Sequence, residues 1–127
     1  MNIAAKSFCK EERLGSRKII ESLFIDGNIF YSGALKVIWK TSESDLQTTK
    51  AAFSAPKKIF KLAVTRNLIK RRMREAYRNN KHILYNHLSE KNISVSLFFI
   101  LKDKDAPSYN VIEKSIKEAI NKLISLI

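Results

Sequence analysis

VTRNLIKRRMREAYRNN, residues 64–80, precedes ISVSLFFIL, residues 93–101, with twelve residues between them. The first segment reads as a helix. At 100° per residue, Ile69, Met73, Ala76 and Tyr77 fall within an arc of about 100°. That arc is wide enough to dock on a sheet. Arg66, Asn67, Lys70, Arg71, Arg74 and Arg78 occupy a neighbouring arc of about 140°. The second segment is rich in β-branched and aromatic residues and reads as a strand. Its unbroken apolar end predicts burial on both faces. A strand, this helix and the second strand form one crossover, which allows two strands to lie in parallel. Residues 82–89 either continue the helix or form another turn.

Working outward, Ala34 to Lys40 reads as a strand, with Leu35, Val37 and Trp39 alternating with Lys36, Ile38 and Lys40. Lys50 to Ala55 is a second strand, with Ala51, Phe53 and Ala55 on one face and Pro56 at its end. The polar residues 41–49 between them read as a loop. Ser16 to Asp26 predicts a short helix: Ser16 is the N-cap, Ile19, Ile20, Leu23 and Phe24 recur at helical spacing, and Gly27 ends it. Pro107 opens a last helix whose stripe is Ile112, Ile116, Ala119, Ile120, Leu123 and Ile127. Asn110 and Glu113 have capping-box spacing, and Glu113–Lys117 and Glu118–Lys122 are favourable pairs one turn apart. Helices interleaved with strands predict an α+β fold, helices packed on a mixed sheet, in one domain over residues 1–127.

The chain carries 24 Lys+Arg against 12 Asp+Glu, a formal net charge of +12. Between Lys57 and Lys81 lie ten basic residues (Lys57, Lys58, Lys61, Arg66, Lys70, Arg71, Arg72, Arg74, Arg78 and Lys81) and one acid, Glu75, giving +9. The rest of the chain shares only +3. A solvated surface mixes its signs, so this block points to a polyanion. Arg66, Lys70, Arg74 and Arg78 follow one another every four residues, about 6 Å apart along the axis. Such a row repels itself unless something anionic lies along it, and a phosphate backbone does so. A membrane-surface helix is disfavoured because the apolar face is needed for the core. No companion helix with a short turn marks a DNA-reading pair.

Other residues read more plainly. Apolar residues make up 45% of the chain, with three Gly and two Pro, which excludes a disordered tail. No apolar run is long enough to span a bilayer, and the start lacks the apolar core of a secretory signal. One cysteine, Cys9, forms no internal disulfide and fits a reducing, cytoplasmic setting. Trp39, Phe53, Phe98 and Phe99 are read as core. His82 and His87 are five apart, off the spacing of a helical metal pair. Asp103 and Asp105 fit a turn before Pro107. No catalytic triad or carboxylate cluster stands out, so no residue is assigned as catalytic or as a metal ligand.

The run Arg66-Asn67-Leu68-Ile69-Lys70-Arg71-Arg72-Met73-Arg74-Glu75-Ala76-Tyr77-Arg78 resembles the arginine-asparagine signature of the bacterial ribonuclease P protein subunit. The resemblance extends to Arg13-Leu14 before a short helix, to Phe24 and Gly27, and to Ser54-Ala55-Pro56-Lys57-Lys58 before the basic helix. It implies an α-β sandwich of order α-β-β-β-α-β-α with an unusual left-handed crossover. The fourth strand then falls near residues 28–31 or between 57 and 63. Most crossovers are right-handed, so handedness comes from the resemblance alone.

The resemblance also implies a function. The protein subunit binds a catalytic RNA, ribonuclease P RNA, and the 5′ leader of precursor tRNA, and promotes Mg²⁺-dependent removal of that leader. Mg²⁺ is held mainly by RNA; neither a membrane nor an obligate protein partner is expected. Arg66, Asn67, Lys70, Arg71 and Arg74 match the signature and would contact the catalytic RNA, with Arg78, Lys57 and Lys58 adding phosphate contacts. The leader would lie in a cleft between the first helix and the sheet. Ile20 and Phe24 match its helix positions, and Lys36 and Ile38 are strand candidates. Family members often carry aromatics where Ile20 and Ile38 stand, so stacking is weakened here, by about 1–3 kcal/mol per base. Replacing Arg66 or Arg71 should lower assembly or activity with little loss of stability. The competing readings are a non-catalytic RNA binder, such as a ribosomal protein or RNA chaperone, and an autonomous metal nuclease.

Overall fold

Alternation along two strands sets the layers. In the computed structural model, which describes residues 8, 10–42, 49–103 and 105–127, four strands form one mixed sheet. The elements in chain order are α1 (Arg17–Asp26), β1 (Asn28–Ser32), β2 (Leu35–Ser42), β3 (Lys50–Ser54), α2 (Ala63–Lys91), β4 (Ser94–Leu101) and α3 (Tyr109–Leu126). The spatial order is β1-β2-β4-β3; β1–β2 and β2–β4 are antiparallel and β3–β4 is parallel. The parallel pair is joined by α2, so the predicted crossover is present. The fourth strand is β1, the first of the two expected places.

Leu35, Val37 and Trp39 of β2 and Leu97, Phe99 and Leu101 of β4 share one face, buried with Ile69, Met73, Ala76 and Tyr77 of α2 and the predicted stripe of α3. This is the main core. Phe53 stacks on Phe99 with ring centroids 5.5 Å apart. The opposite face carries a smaller cluster, Leu14, Leu23 and Ile38, with Ile20, Ala52, Phe98 and Ile100 packed against it. The sheet therefore lies between α1 on one side and α2 with α3 on the other, and β4 is largely closed on both faces.

Local signals explain the helix ends. The Ser16 side chain accepts from the Ile19 N–H, as predicted. Gly27 ends α1, but with φ −71° it is not a left-handed cap. A Cβ there would meet the Leu23 carbonyl oxygen at 2.4 Å and Ile38 Cγ2 at 2.8 Å, so close approach to β2 excludes a side chain. The capping box at Asn110 does not form. Ser108 caps α3 instead, accepting from the Val111 N–H, so the helix begins two residues earlier, just after Pro107. Glu113 accepts from the Tyr109 hydroxyl (3.1 Å) and the Asn80 amide (3.4 Å), and pairs with Lys117 at 3.8 Å. Residues 81–91 continue α2 without a break, giving 29 residues and about 43 Å of helix. The polar loop read over residues 41–49 begins later than predicted, since β2 runs to Ser42; residues 43–48 and Cys9 lie outside the described residues.

One basic residue leaves the surface. Lys81 is 1% exposed and its ammonium lies 2.5 Å from Glu12, itself 7% exposed. Glu12 sits in a short 3₁₀ turn, Lys10–Glu12. Tyr85 donates to the same carboxylate at 2.6 Å, and the Tyr77 hydroxyl donates to Tyr85 at 3.3 Å. Arg13 bridges to Ala51 and the Leu14 N–H donates to the Ala51 carbonyl, which covers the outer edge of β3. Lys81 therefore belongs to a buried anchor, where the helical arc of its side chain meets the 3₁₀ turn.

Burial raises the pKa of Tyr77, with the nearby Glu12 charge adding to the rise and the Tyr85 hydrogen bond opposing it. Burial also raises Tyr85, with Tyr77 and the Glu12 hydrogen bond adding to it. A raised tyrosine pKa favours the folded state below the unfolded value, about 10. That contribution is lost as pH climbs above it, because unfolding then releases the proton. Stability should fall from about pH 10 upward, by about 1.4 kcal/mol per pH unit per tyrosine at most. An ultraviolet titration of tyrosinate should show Tyr77 and Tyr85 ionising only as the chain unfolds. Smooth titration of all tyrosines in a folded chain would contradict this.

Candidate nucleic-acid interface

The basic face of α2 begins in the turn that follows β3. Ile59 and Phe60 N–H groups donate to the Pro56 carbonyl, and buried Phe60 pins the turn to the core. Lys57 and Lys58 stand exposed on it. No side chain caps α2, whose N-cap is Leu62. The free N–H groups of its first turn add a partial positive charge beside the two lysines.

Along α2, Asn67, Arg71 and Arg74 are exposed and Arg66, Lys70 and Arg78 are half-buried. These residues share one face because the arc next to it is wholly buried: Ile69, Met73, Ala76 and Tyr77 are all closed to solvent. The members differ in what holds them. Arg66 donates from one guanidinium nitrogen to the Phe60 carbonyl (2.8 Å) and the Lys61 carbonyl (3.0 Å). It fastens the entry turn, so its replacement loosens the loop carrying Lys57 and Lys58. These two bonds bear on the expectation that replacing Arg66 costs little stability. Arg78 pairs with Glu75 one turn back. Arg72 reaches the other way, donating to the Pro107 carbonyl at 2.7 Å, and ties α2 to the start of α3.

The second part of the site is the sheet face under α1. Strand register places Ile29, Ile38, Phe98 and Ala52 in one row across the sheet, and Tyr31, Lys36, Ile100 and Ser54 in the next. α1 crosses the sheet over the first row. Its Asp26 pairs with Lys40 at 3.1 Å, which fixes the helix at the end of β2. The second row is left half-open, and it leads at β3 to Pro56 and the lysine turn.

Phe24 is 55% exposed and meets Phe98 edge-on, ring centroids 5.4 Å apart. Ile20 is half-buried beside it, and Lys36 is half-buried in the open row. Ile38 is 1% exposed, sealed under α1 against Leu14 and Leu23. It supports the cleft from below and offers no surface, a correction to its reading as a lining residue. Phe98, read as core, packs against the smaller cluster and also meets Phe24; Tyr31 was not singled out. Alternation along β4 opposes Phe98 to Leu97 and Phe99, which was signal enough; Tyr31 needed β1 to be located first.

His82 is exposed, His87 Nε2 lies 3.4 Å from the Ile127 carbonyl, and Asp103 is 4.0 Å from Lys102. Among the described residues no group of three or more His, Cys, Asp or Glu is placed to hold a metal ion. None of their helices is long and apolar enough to cross a membrane.

A sheet packed by helices on both faces, with cations aligned on one helix and a half-open row on the opposite face, defines a small basic α+β protein whose charge suits a polyanion. The family profile described as Ribonuclease P matches residues 8–124. A ribonuclease P protein component from Porphyromonas gingivalis W83 is 34% identical over 112 residues, covering 87% of this chain and 82% of that protein. Another from Chlorobium phaeobacteroides is 29% identical over 128 residues, covering 92% and 88%. The ribonuclease P protein of Staphylococcus aureus superposes with a TM-score of 0.66 at 19% identity, covering 88% of this chain and 94% of that one. That of Thermotoga maritima gives 0.67 at 19%, covering 91% and 97%. The chain belongs to the ribonuclease P protein family.

Proposed function

We propose that this chain, acting as one unit, lays the basic face of α2 on ribonuclease P RNA and holds the 5′ leader of precursor tRNA in the groove beside α1. Family membership makes it the protein subunit in tRNA 5′ processing, associated with ribonuclease P RNA. The observation that carries the finer reading is the row Arg66, Lys70, Arg74 and Arg78, joined through Arg66 to the turn that bears Lys57 and Lys58 and that follows Ser54 of the half-open row. Asn67 and Arg71 extend the contact. Ile20, Phe24 and Lys36 line the groove, and Ile38 backs it.

Mg²⁺ is assigned to the RNA, because the α2 face is dominated by cations. The exposed groups of the α2 face are guanidinium, ammonium and amide, which repel a dication or bind it poorly. The protein's part is to neutralise phosphates where RNA and leader approach, so that Mg²⁺-loaded, aligned substrate is favoured. We assign it to the cytoplasm with its RNA and to no obligate protein partner.

Cleavage of precursor tRNA should be measured at low Mg²⁺ with protein alone, with catalytic RNA from the same organism alone, and with both. Efficient cleavage is expected only in the mixture. Cleavage by protein alone would favour an autonomous nuclease, and RNA cleavage unchanged by protein would leave a general RNA binder.

A further inference from the structure

Tyr31 lies on β1, an edge strand, and is 58% exposed. Its cross-strand partner is Lys36, the basic residue of the open row. Its side chain stands on the sheet face that carries Phe98, opposite the core face that buries Phe30. Strand and row spacings put Tyr31 and Phe98 about 12 Å apart, with Lys36 between the two strands that carry them. An extended single strand advances roughly 6–7 Å per nucleotide, so this gap matches about two steps (our geometric estimate from backbone spacing). Two aromatic surfaces flanking one ammonium form a stacking platform with a phosphate contact inside it.

We infer that Tyr31 is a base-stacking residue for single-stranded RNA, and that it carries the leader groove past β2 to the edge of the sheet. The groove then has two aromatic stations. Phe24 with Phe98 forms the one under α1, and Tyr31 forms the one beyond it. Lys36 neutralises the backbone that joins the two stacked bases. The inference rests on the leader reading above, because it names a further contact for that strand.

The test uses the reconstituted holoenzyme and two precursor tRNAs, one with an eight-nucleotide leader and one with a single-nucleotide leader. Wild-type protein should bind the long-leader substrate more tightly. Tyr31→Ala should weaken that binding at least about fivefold while leaving the short-leader substrate unchanged. Tyr31→Phe keeps the ring and should bind as wild type. Equal binding of both substrates by the wild-type holoenzyme would remove the leader reading and this inference with it. Discrimination by wild type that Tyr31→Ala retains in full would overturn the inference alone. Equal weakening of both substrates by Tyr31→Ala, or a Tyr31→Phe variant as weak as Tyr31→Ala, would also overturn it, since neither is a stacking signature. Thermal unfolding of each variant establishes that it is folded.

Discussion

Lys81→Met should destabilise the folded chain by about 3–5 kcal/mol, the usual cost of breaking a buried ion pair by removing one partner. Lys81 and Glu12 are both shut away from water, and Tyr85 also donates to Glu12. Removal of the ammonium leaves a carboxylate in a low-dielectric site beside a tyrosine whose pKa is already raised by burial. The loss is a large fraction of the 5–15 kcal/mol that a domain of this size has in total. It should also free the 3₁₀ turn from the edge of β3. Denaturant midpoints measure the effect. Glu12→Leu combined with Lys81→Met should recover most of the loss, because an apolar pair of similar volume needs no counter-charge. A single-variant cost below about 1 kcal/mol would show that the pair is not an anchor.

The second large effect concerns binding. Arg71 and Arg74 are exposed on the α2 face, and neither makes the turn-holding bonds of Arg66. Replacing both with alanine should leave unfolding unchanged within about 0.5 kcal/mol. Affinity for ribonuclease P RNA should fall at least about 100-fold, if each guanidinium makes one charge-assisted contact of about 1.5–3 kcal/mol. The plot of log affinity against log salt should flatten by roughly 1.4–1.8, the share of two phosphates. Both quantities come from one filter-binding series at several salt concentrations. Unchanged affinity and slope would place the RNA elsewhere on the molecule. The same substitution at Arg66 gives a less clean result, because the Phe60 and Lys61 carbonyls lose their donor.

The α2 face was legible because helical period alone separates Ile69, Met73, Ala76 and Tyr77 from the cations, and the core accepts that separation unchanged. β2 was legible by alternation, and β4 by its run of β-branched and aromatic residues. β1 was not, since Asn28–Ser32 is short and its pairing with β2 supplies most of what defines it. Ile38 shows the limit of alternation: it assigned the correct face, but only α1 decides which positions on that face are covered. Lys81 shows the limit of charge counting. Its partner Glu12 lies sixty-nine residues away, and no local pattern links them. The family resemblance supplied the groove's location, while the accessible aromatics within it came from register and burial.

The strand order also governs when the molecule can become itself. β4 lies between β2 and β3, yet it is made after both and after all of α2. Until Leu101 has been synthesised, the β1–β2 hairpin and β3 have no common neighbour, and the apolar side of α2 has no complete sheet to dock on. The nascent chain therefore carries its cationic helix in the open before its core exists. Folding is completed by a late insertion, with loop closure across α2 as its entropic barrier. A growing chain of this kind meets polyanions before it is finished, so its charge acts on its own biogenesis as well as on its final task.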